Sequence, residues 1–157
     1  MDAVSDVLAD KAEIVEVTIR YCTALDTRDW ALLAECFTDD AEARYQSPGV
    51  AGTDGYVGFP AIEKRLGDSM NLLLASQHCV SNHVISLRES EAECRCYVRA
   101  QHIRSAATGV ESFMVGGTYA DRLVRTEVGW RISSRVMTYT WTDEAWSPSG
   151  QVLPAEA

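Results

Sequence analysis

Ala92-Glu93-Cys94-Arg95-Cys96-Tyr97-Val98-Arg99-Ala100-Gln101-His102 decides the fold of this chain. Side chains of a strand alternate between its two faces, so Ala92, Cys94, Cys96, Val98, Ala100 and His102 fall on one side and Glu93, Arg95, Tyr97, Arg99 and Gln101 on the other. One face is apolar and ends in a histidine; the other is polar. A long half-buried strand is the reading, with His102 pointing inward.

The same period extends in both directions. Gln77–Leu87, Ala92–Arg104, Ser112–Arg125 and Trp130–Trp141 are four long runs joined by the short links Arg88-Glu89-Ser90, Ala107-Thr108-Gly109 and Thr126 to Gly129. Such links suit hairpins, so the second half of the chain is an antiparallel meander. On the first run, strict alternation puts His78 with Val80, Asn82 and Val84, and His83 with Cys79 and Ser81.

Upstream the period changes to that of helices. Ile14, Val17, Thr18, Tyr21 and Leu25 share one face of a helix from about Ser5 to Asp26. Thr27 then caps a short helix with Trp30, Leu33, Ala34 and Phe37 on its apolar side, and Thr38-Asp39-Asp40 stops it. Ala41–Gln46 is a short strand carrying Tyr45. Ser47–Gly58, rich in glycine, is a loop, read either as a lid over a pocket or as plain surface. It matches no phosphate- or dinucleotide-binding fingerprint, because the glycine spacing differs. Pro60 opens a third helix through Ile62, Leu66, Met70 and Leu73. Helices first and a long sheet afterwards predict an α+β fold. In it a strongly bent antiparallel sheet forms a cone-shaped barrel with three N-terminal helices on its concave face. The expected domain covers 1–142, and 143–157 is an irregular tail.

The chain has 157 residues, 46% hydrophobic and 24% charged, with a formal net charge of −9 and a pI near 4.7. That is one globular domain, with neither the basic surface that nucleic acid or anionic membrane requires nor an apolar run of spanning length. An acidic start without signal-peptide order points to a cytoplasmic protein. Cys22, Cys36, Cys79, Cys94 and Cys96 are odd in number and form no C-x-x-C pair, so they read as thiols used as small hydrophobes. Apolar and aromatic residues on both faces of the last strands, such as Met114, Val115, Tyr119, Val124, Tyr139 and Trp141, predict a homo-oligomer.

Asp26 ends the first helix and His78 opens the first long strand. A carboxylate beside an imidazole fixes the ring tautomer and stabilises the imidazolium, so this pair moves protons without a cofactor. A single inward histidine is more often a core residue, Tyr21 could be helix packing, Asp26 a turn residue and Arg135 a salt-bridge partner. Convergence favours function, since burying all of them idle is costly. Trp30, Leu66, Met70, Val80, Phe113 and Met137, with Asn82 and Tyr119, are the expected pocket lining for a small hydrophobic substrate.

Arg20-Tyr21-Cys22-Thr23-Ala24-Leu25-Asp26-Thr27-Arg28-Asp29-Trp30, Cys36-Phe37-Thr38-Asp39-Asp40-Ala41, Gln77-His78-Cys79-Val80-Ser81-Asn82-His83, and Gly117-Thr118-Tyr119-Ala120-Asp121 through Gly129-Trp130-Arg131-Ile132 resemble SnoaL-like proteins of the nuclear-transport-factor-like superfamily. Among these the chain is similar to scytalone dehydratase, bile-acid dehydratase and hexachlorocyclohexane dehydrochlorinase, all cofactor-free lyases. The resemblance implies that Asp26 and His78 are their dyad. It also implies that Tyr45 and His102 match the strand tyrosine and second histidine of the scytalone enzyme. Tyr21 matches the bile-acid enzyme's helix tyrosine, and Arg135 the dehydrochlorinase's arginine. Leu25 stands where the scytalone enzyme has a second tyrosine, and its serine and asparagine near Gly117 and Tyr119 are missing. Arg99-Ala100-Gln101 lacks the aspartate that limonene-epoxide hydrolase needs. The expectation is a cofactor-independent dehydratase for a cyclic or polyketide-like alcohol. An isomerase or cyclase using the same proton abstraction, a non-catalytic subunit or binding module, and a two-histidine-one-carboxylate metal site are the alternatives. The relatives imply a trimer or a dimer.

Overall fold

A computed structural model of the chain describes residues 3–46 and 55–143. Most of the expected loop and nearly all of the expected tail lie outside the described residues. The elements run α1 (Ala3–Thr27), α2 (Trp30–Ala34), β1 (Phe37–Gln46), β2 (Gly55–Val57), α3 (Phe59–Met70), β3 (Ala75–Arg88), β4 (Glu91–Ala106), β5 (Gly109–Thr126) and β6 (Gly129–Thr142). The strands form one sheet in the order β2-β1-β6-β5-β4-β3. β3 to β6 are the expected antiparallel meander. β1 departs from it by running parallel to β6, and β2, within the Ser47–Gly58 stretch expected as a loop, pairs antiparallel with β1. Among the described residues no helix is long and apolar enough to cross a membrane.

α1 buries Ile14, Val17, Thr18, Tyr21 and Leu25 against the sheet. It ends at Arg28, whose backbone takes the left-handed conformation (φ 59°). The Arg28 side chain folds back to donate to the carbonyls of Leu25 and Asp26, meeting the helix terminus with positive charge. That turn moves the next cap along the chain. Asp29, not Thr27, is the N-cap of α2 and accepts from Leu32 N–H at 2.9 Å, while Thr27 bonds back to Thr23 inside α1.

β4 follows its alternation without interruption, with Ala92, Cys94, Cys96, Val98, Ala100 and His102 all buried. β3 does not. Its pairing with β4 shifts between Ser81 and Val84, where Asn82 has φ 57°. This bulge inserts a residue and exchanges the faces beyond it. Asn82 and Val84 therefore face outward, and His83 turns in to meet Thr18 Oγ1 at 2.8 Å. Further shifts at Phe37/Glu42, Gly116/Gly117 and Arg122/Leu123 accompany the curvature that lets the sheet wrap around α1 and α3.

At Gly117 the β5 and β6 backbones come so close that a Cβ would be driven into the Thr138 carbonyl and the end of Met137. Backbone cannot swing away as a side chain can. Gly117→Ala should cost about 1–3 kcal/mol of stability, read by urea denaturation.

Candidate active site

The end of α1 lies against the beginning of β3, and this junction builds the site. Asp26 Oδ1 meets His78 Nδ1 at 2.6 Å, and Oδ2 accepts the His78 backbone N–H at 2.8 Å. Ser76 Oγ donates to Oδ1 at 2.9 Å and accepts from Arg28 Nη1 at 3.0 Å. Arg28 Nη2 reaches the Met70 carbonyl at 3.1 Å, at the end of α3. One chain of polar contacts thus ties both helices to the strand that carries the histidine. Burial pushes the Asp26 carboxyl up, but the His78 ring and backbone and the Ser76 hydroxyl outweigh it and hold the group below the usual range. Asp26 is a carboxylate at neutral pH. It places the ring proton on Nδ1 and leaves the Nε2 lone pair for the cavity that His78 lines.

His102 lies across from His78 with ring centroids 5.5 Å apart, and Phe113 packs edge-on behind it at 5.0 Å. It is 7% exposed, and neither ring nitrogen meets a partner among the described residues. Burial, then the neighbouring His78 and Arg28, push its pKa from 6.5 down to about 4. His102 is therefore neutral at pH 7, offering one N–H and one lone pair. Because the folded value lies below the ordinary one, the unfolded chain takes up this proton first as pH falls. The effect on stability begins near 6.5 and is complete near 4. His102→Leu removes it. Relative to wild type, that variant should gain about 1 kcal/mol on going from pH 7 to about pH 5.5, measured by urea denaturation at both values. No change in the difference would contradict a neutral buried ring.

The cavity between α1, α3 and the sheet leaves about 60 Å³ to the centre of a water-sized sphere. That is several single-water sites. Tyr21, Tyr45, Leu66, Met70, Tyr119 and Met137 line it with the two histidines. Desolvation raises the Tyr21, Tyr45 and Tyr119 hydroxyls well above their ordinary value, so all three remain O–H donors. The Tyr45 hydroxyl makes no well-formed hydrogen bond among the described residues, although it lies close enough to Tyr21 for each to influence the other.

Five expected site residues lie elsewhere. Asn82 is on the outer face because of the β3 bulge. Phe113 supports His102 from behind, and Val80 and Trp30 pack against the core. Arg135 sits beneath the floor, fully buried, with Nε and Nη2 on the two Asp121 oxygens at 2.7 and 2.6 Å. Its guanidinium lies 4.0 Å from the ring centroids of both Tyr21 and Tyr119. It touches the cavity only through those rings.

Sequence reasoning missed Ser76 and Arg28, which orient Asp26, and Arg65 and Ser69, which line the cavity from α3. The last pair flanks Leu66 and Met70 at helical spacing, and that was the signal available. Cys22, Cys36, Cys94 and Cys96 are buried with thiols pushed up to between about 11 and about 12, and Cys79 is exposed. Asp26 spends both oxygens on His78 and Ser76. Among the described residues no group of three His, Cys, Asp or Glu is arranged to hold a metal.

Residues 6–136 match the family model of the SnoaL-like domain. The chain belongs to the SnoaL-like family. This SnoaL-like chain is 28% identical over 154 residues to terrestric acid biosynthesis cluster protein E of Penicillium crustosum, covering 92% of each. Its fold is shared with a protein of Novosphingobium aromaticivorans assigned as a scytalone dehydratase (TM-score 0.80, 23% identity, 98% of this chain and 99% of that one). It is shared also with a hexachlorocyclohexane dehydrochlorinase, at TM-score 0.75 and 17% identity over 89% and 91% of the two chains. At such identities the two structures speak for the fold alone: a curved antiparallel sheet with helices packed on it.

Proposed function

We propose that the protein is a cofactor-independent lyase that removes water from a hydrophobic cyclic or polyketide-like β-hydroxy ketone. The observation that carries this reading is the 2.6 Å Asp26–His78 contact at the wall of an apolar cavity. His78 Nε2 takes a proton from the carbon next to the carbonyl. The C–H electron pair moves onto the carbonyl oxygen, where the Tyr45 and Tyr21 hydroxyls donate to the growing charge. The enolate then restores its carbonyl as the β C–O bond breaks. The proton on His78 leaves with the hydroxide as water, giving the conjugated ketone, and Asp26 stabilises the imidazolium between the two transfers. His102, neutral and without a hydrogen-bond partner among the described residues, hydrogen-bonds the departing hydroxyl. Arg135 acts from behind, holding the Tyr21 and Tyr119 rings.

Relatives whose names refer to a dehydratase, a dehydrochlorinase and a biosynthetic cluster support the lyase class. The test is product mass after incubation with a panel of cyclic β-hydroxy ketones. Loss of one water is the expected result. Conversion at unchanged mass would replace the lyase by an isomerase or cyclase, and binding without conversion would leave a binding module.

A further inference from the structure

α3 presents two cations to different surroundings. Lys64 pairs with Asp68 at 2.7 Å on the outer surface. Arg65, the next residue, turns to the cavity, lines it, and makes no ion pair among the described residues. Its guanidinium lies 5.4 Å from the centroid of the Tyr45 ring and donates from Nη1 to Ser69 Oγ one turn further on. Stacking on an aromatic face and bonding to the next turn hold a guanidinium in place while leaving most of its N–H groups uncommitted. In a chain of net charge −9, with Asp68 already taken by Lys64, Arg65 lines the cavity without a carboxylate partner among the described residues. A planar guanidinium with free donors suits a carboxylate, which it can bind through two parallel hydrogen bonds.

The cavity is polar at separate places. Among the described residues His102 offers a buried nitrogen pair with no hydrogen-bond partner, and the Tyr45 hydroxyl makes no well-formed hydrogen bond. Leu66, Met70, Val98 and Met137 supply apolar wall in the same cavity. A ligand matching this pattern has an apolar ring body, an oxygen function for the histidines and tyrosines, and an anionic group for α3.

We infer that Arg65 is a substrate-binding residue and that the molecule taken by this cavity carries a carboxylate. The inference rests on the proposed lyase reading for the word substrate, and on the geometry of α3 for the anion. Binding is tested separately from turnover by isothermal titration with pairs of one- and two-ring aromatic acids and their amides, benzoate against benzamide and 2-naphthoate against 2-naphthamide. The same titrations use wild type, Arg65→Gln, Arg65→Lys and His78→Ala proteins whose melting is first checked. The acid should bind roughly tenfold or more tighter than its amide to wild type. That preference should disappear in Arg65→Gln, survive in reduced form in Arg65→Lys, and persist in His78→Ala. Equal binding of acid and amide, binding of neither, or a preference that outlives Arg65→Gln would overturn the assignment. Persistence in His78→Ala also keeps this outcome distinct from the lyase reading, which that variant tests through turnover.

Discussion

His78→Ala protein is expected to lose about three orders of magnitude in kcat while keeping its fold. General base assistance is worth roughly two to four powers of ten, and among the described residues no second group in the cavity is placed to replace it. His102 is nearby, but its pKa of about 4 makes it a feeble base, and no carboxylate orients its ring among the described residues. The fold should survive because the His78 backbone N–H still reaches Asp26, as does the Ser76 hydroxyl. Asp26→Asn tests the other half of the pair. An amide cannot stabilise the imidazolium, and its NH2 group would face donors that now meet a carboxylate, so a large loss with unchanged melting is again expected. Steady-state rates beside circular-dichroism melts separate the two effects. Activity like that of wild type in either variant would remove the dyad from the chemistry.

The largest stability effect is expected at the floor of the cavity. Arg135→Met leaves Asp121 as a buried carboxylate with neither of its guanidinium hydrogen bonds, in a position directly across from residue 135 on the paired strand. Breaking one side of a buried pair typically costs about 3–5 kcal/mol, far more than the pair contributes relative to an apolar replacement. For a domain of this size that corresponds to a fall in Tm on the order of 10 °C. The variant also takes the cation from beneath Tyr21 and Tyr119, so their rings lose the contact that fixes them. The double variant Arg135→Met with Asp121→Leu should recover much of the stability, because no uncompensated charge is left inside. Urea denaturation of the single and double variants supplies the comparison. A double variant as unstable as the single one would mean that stacking, not charge, holds the floor.

Much of this was legible in the chain because simple periods survive folding. β4 has no bulge, so counting by twos placed His102 inside along with the apolar residues before it. The helical face that carries Tyr21 likewise emerged from spacing alone. What failed to show were events that break a period. The bulge at Asn82 exchanges the faces of β3, and nothing in Ser81-Asn82-His83 announces it except an asparagine able to adopt positive φ. The parallel pairing of β1 with β6 joins distant segments, for which local pattern holds no information. The resemblance implies Arg135 in the active site, whereas the structure buries it beneath the cavity floor. The missing clue was Asp121, which shares its buried face with Tyr119 and Leu123 and so had to find a cation inside. A charged residue on a short amphipathic helix reads as solvated surface, whereas the Tyr45 ring beneath Arg65 and its place in the cavity lining show otherwise.

The central claim is that His78, held by Asp26, removes a proton from carbon. Isotope uptake tests this without the natural substrate. A cyclic aryl ketone such as 2-tetralone is incubated in D2O with wild-type, His78→Ala and Asp26→Asn proteins, and deuterium at the carbon beside the carbonyl is followed by mass spectrometry. The account predicts uptake well above the buffer rate with wild type and a return to the buffer rate in both variants. Uptake by wild type no faster than buffer, or equal uptake by all three proteins, would contradict it.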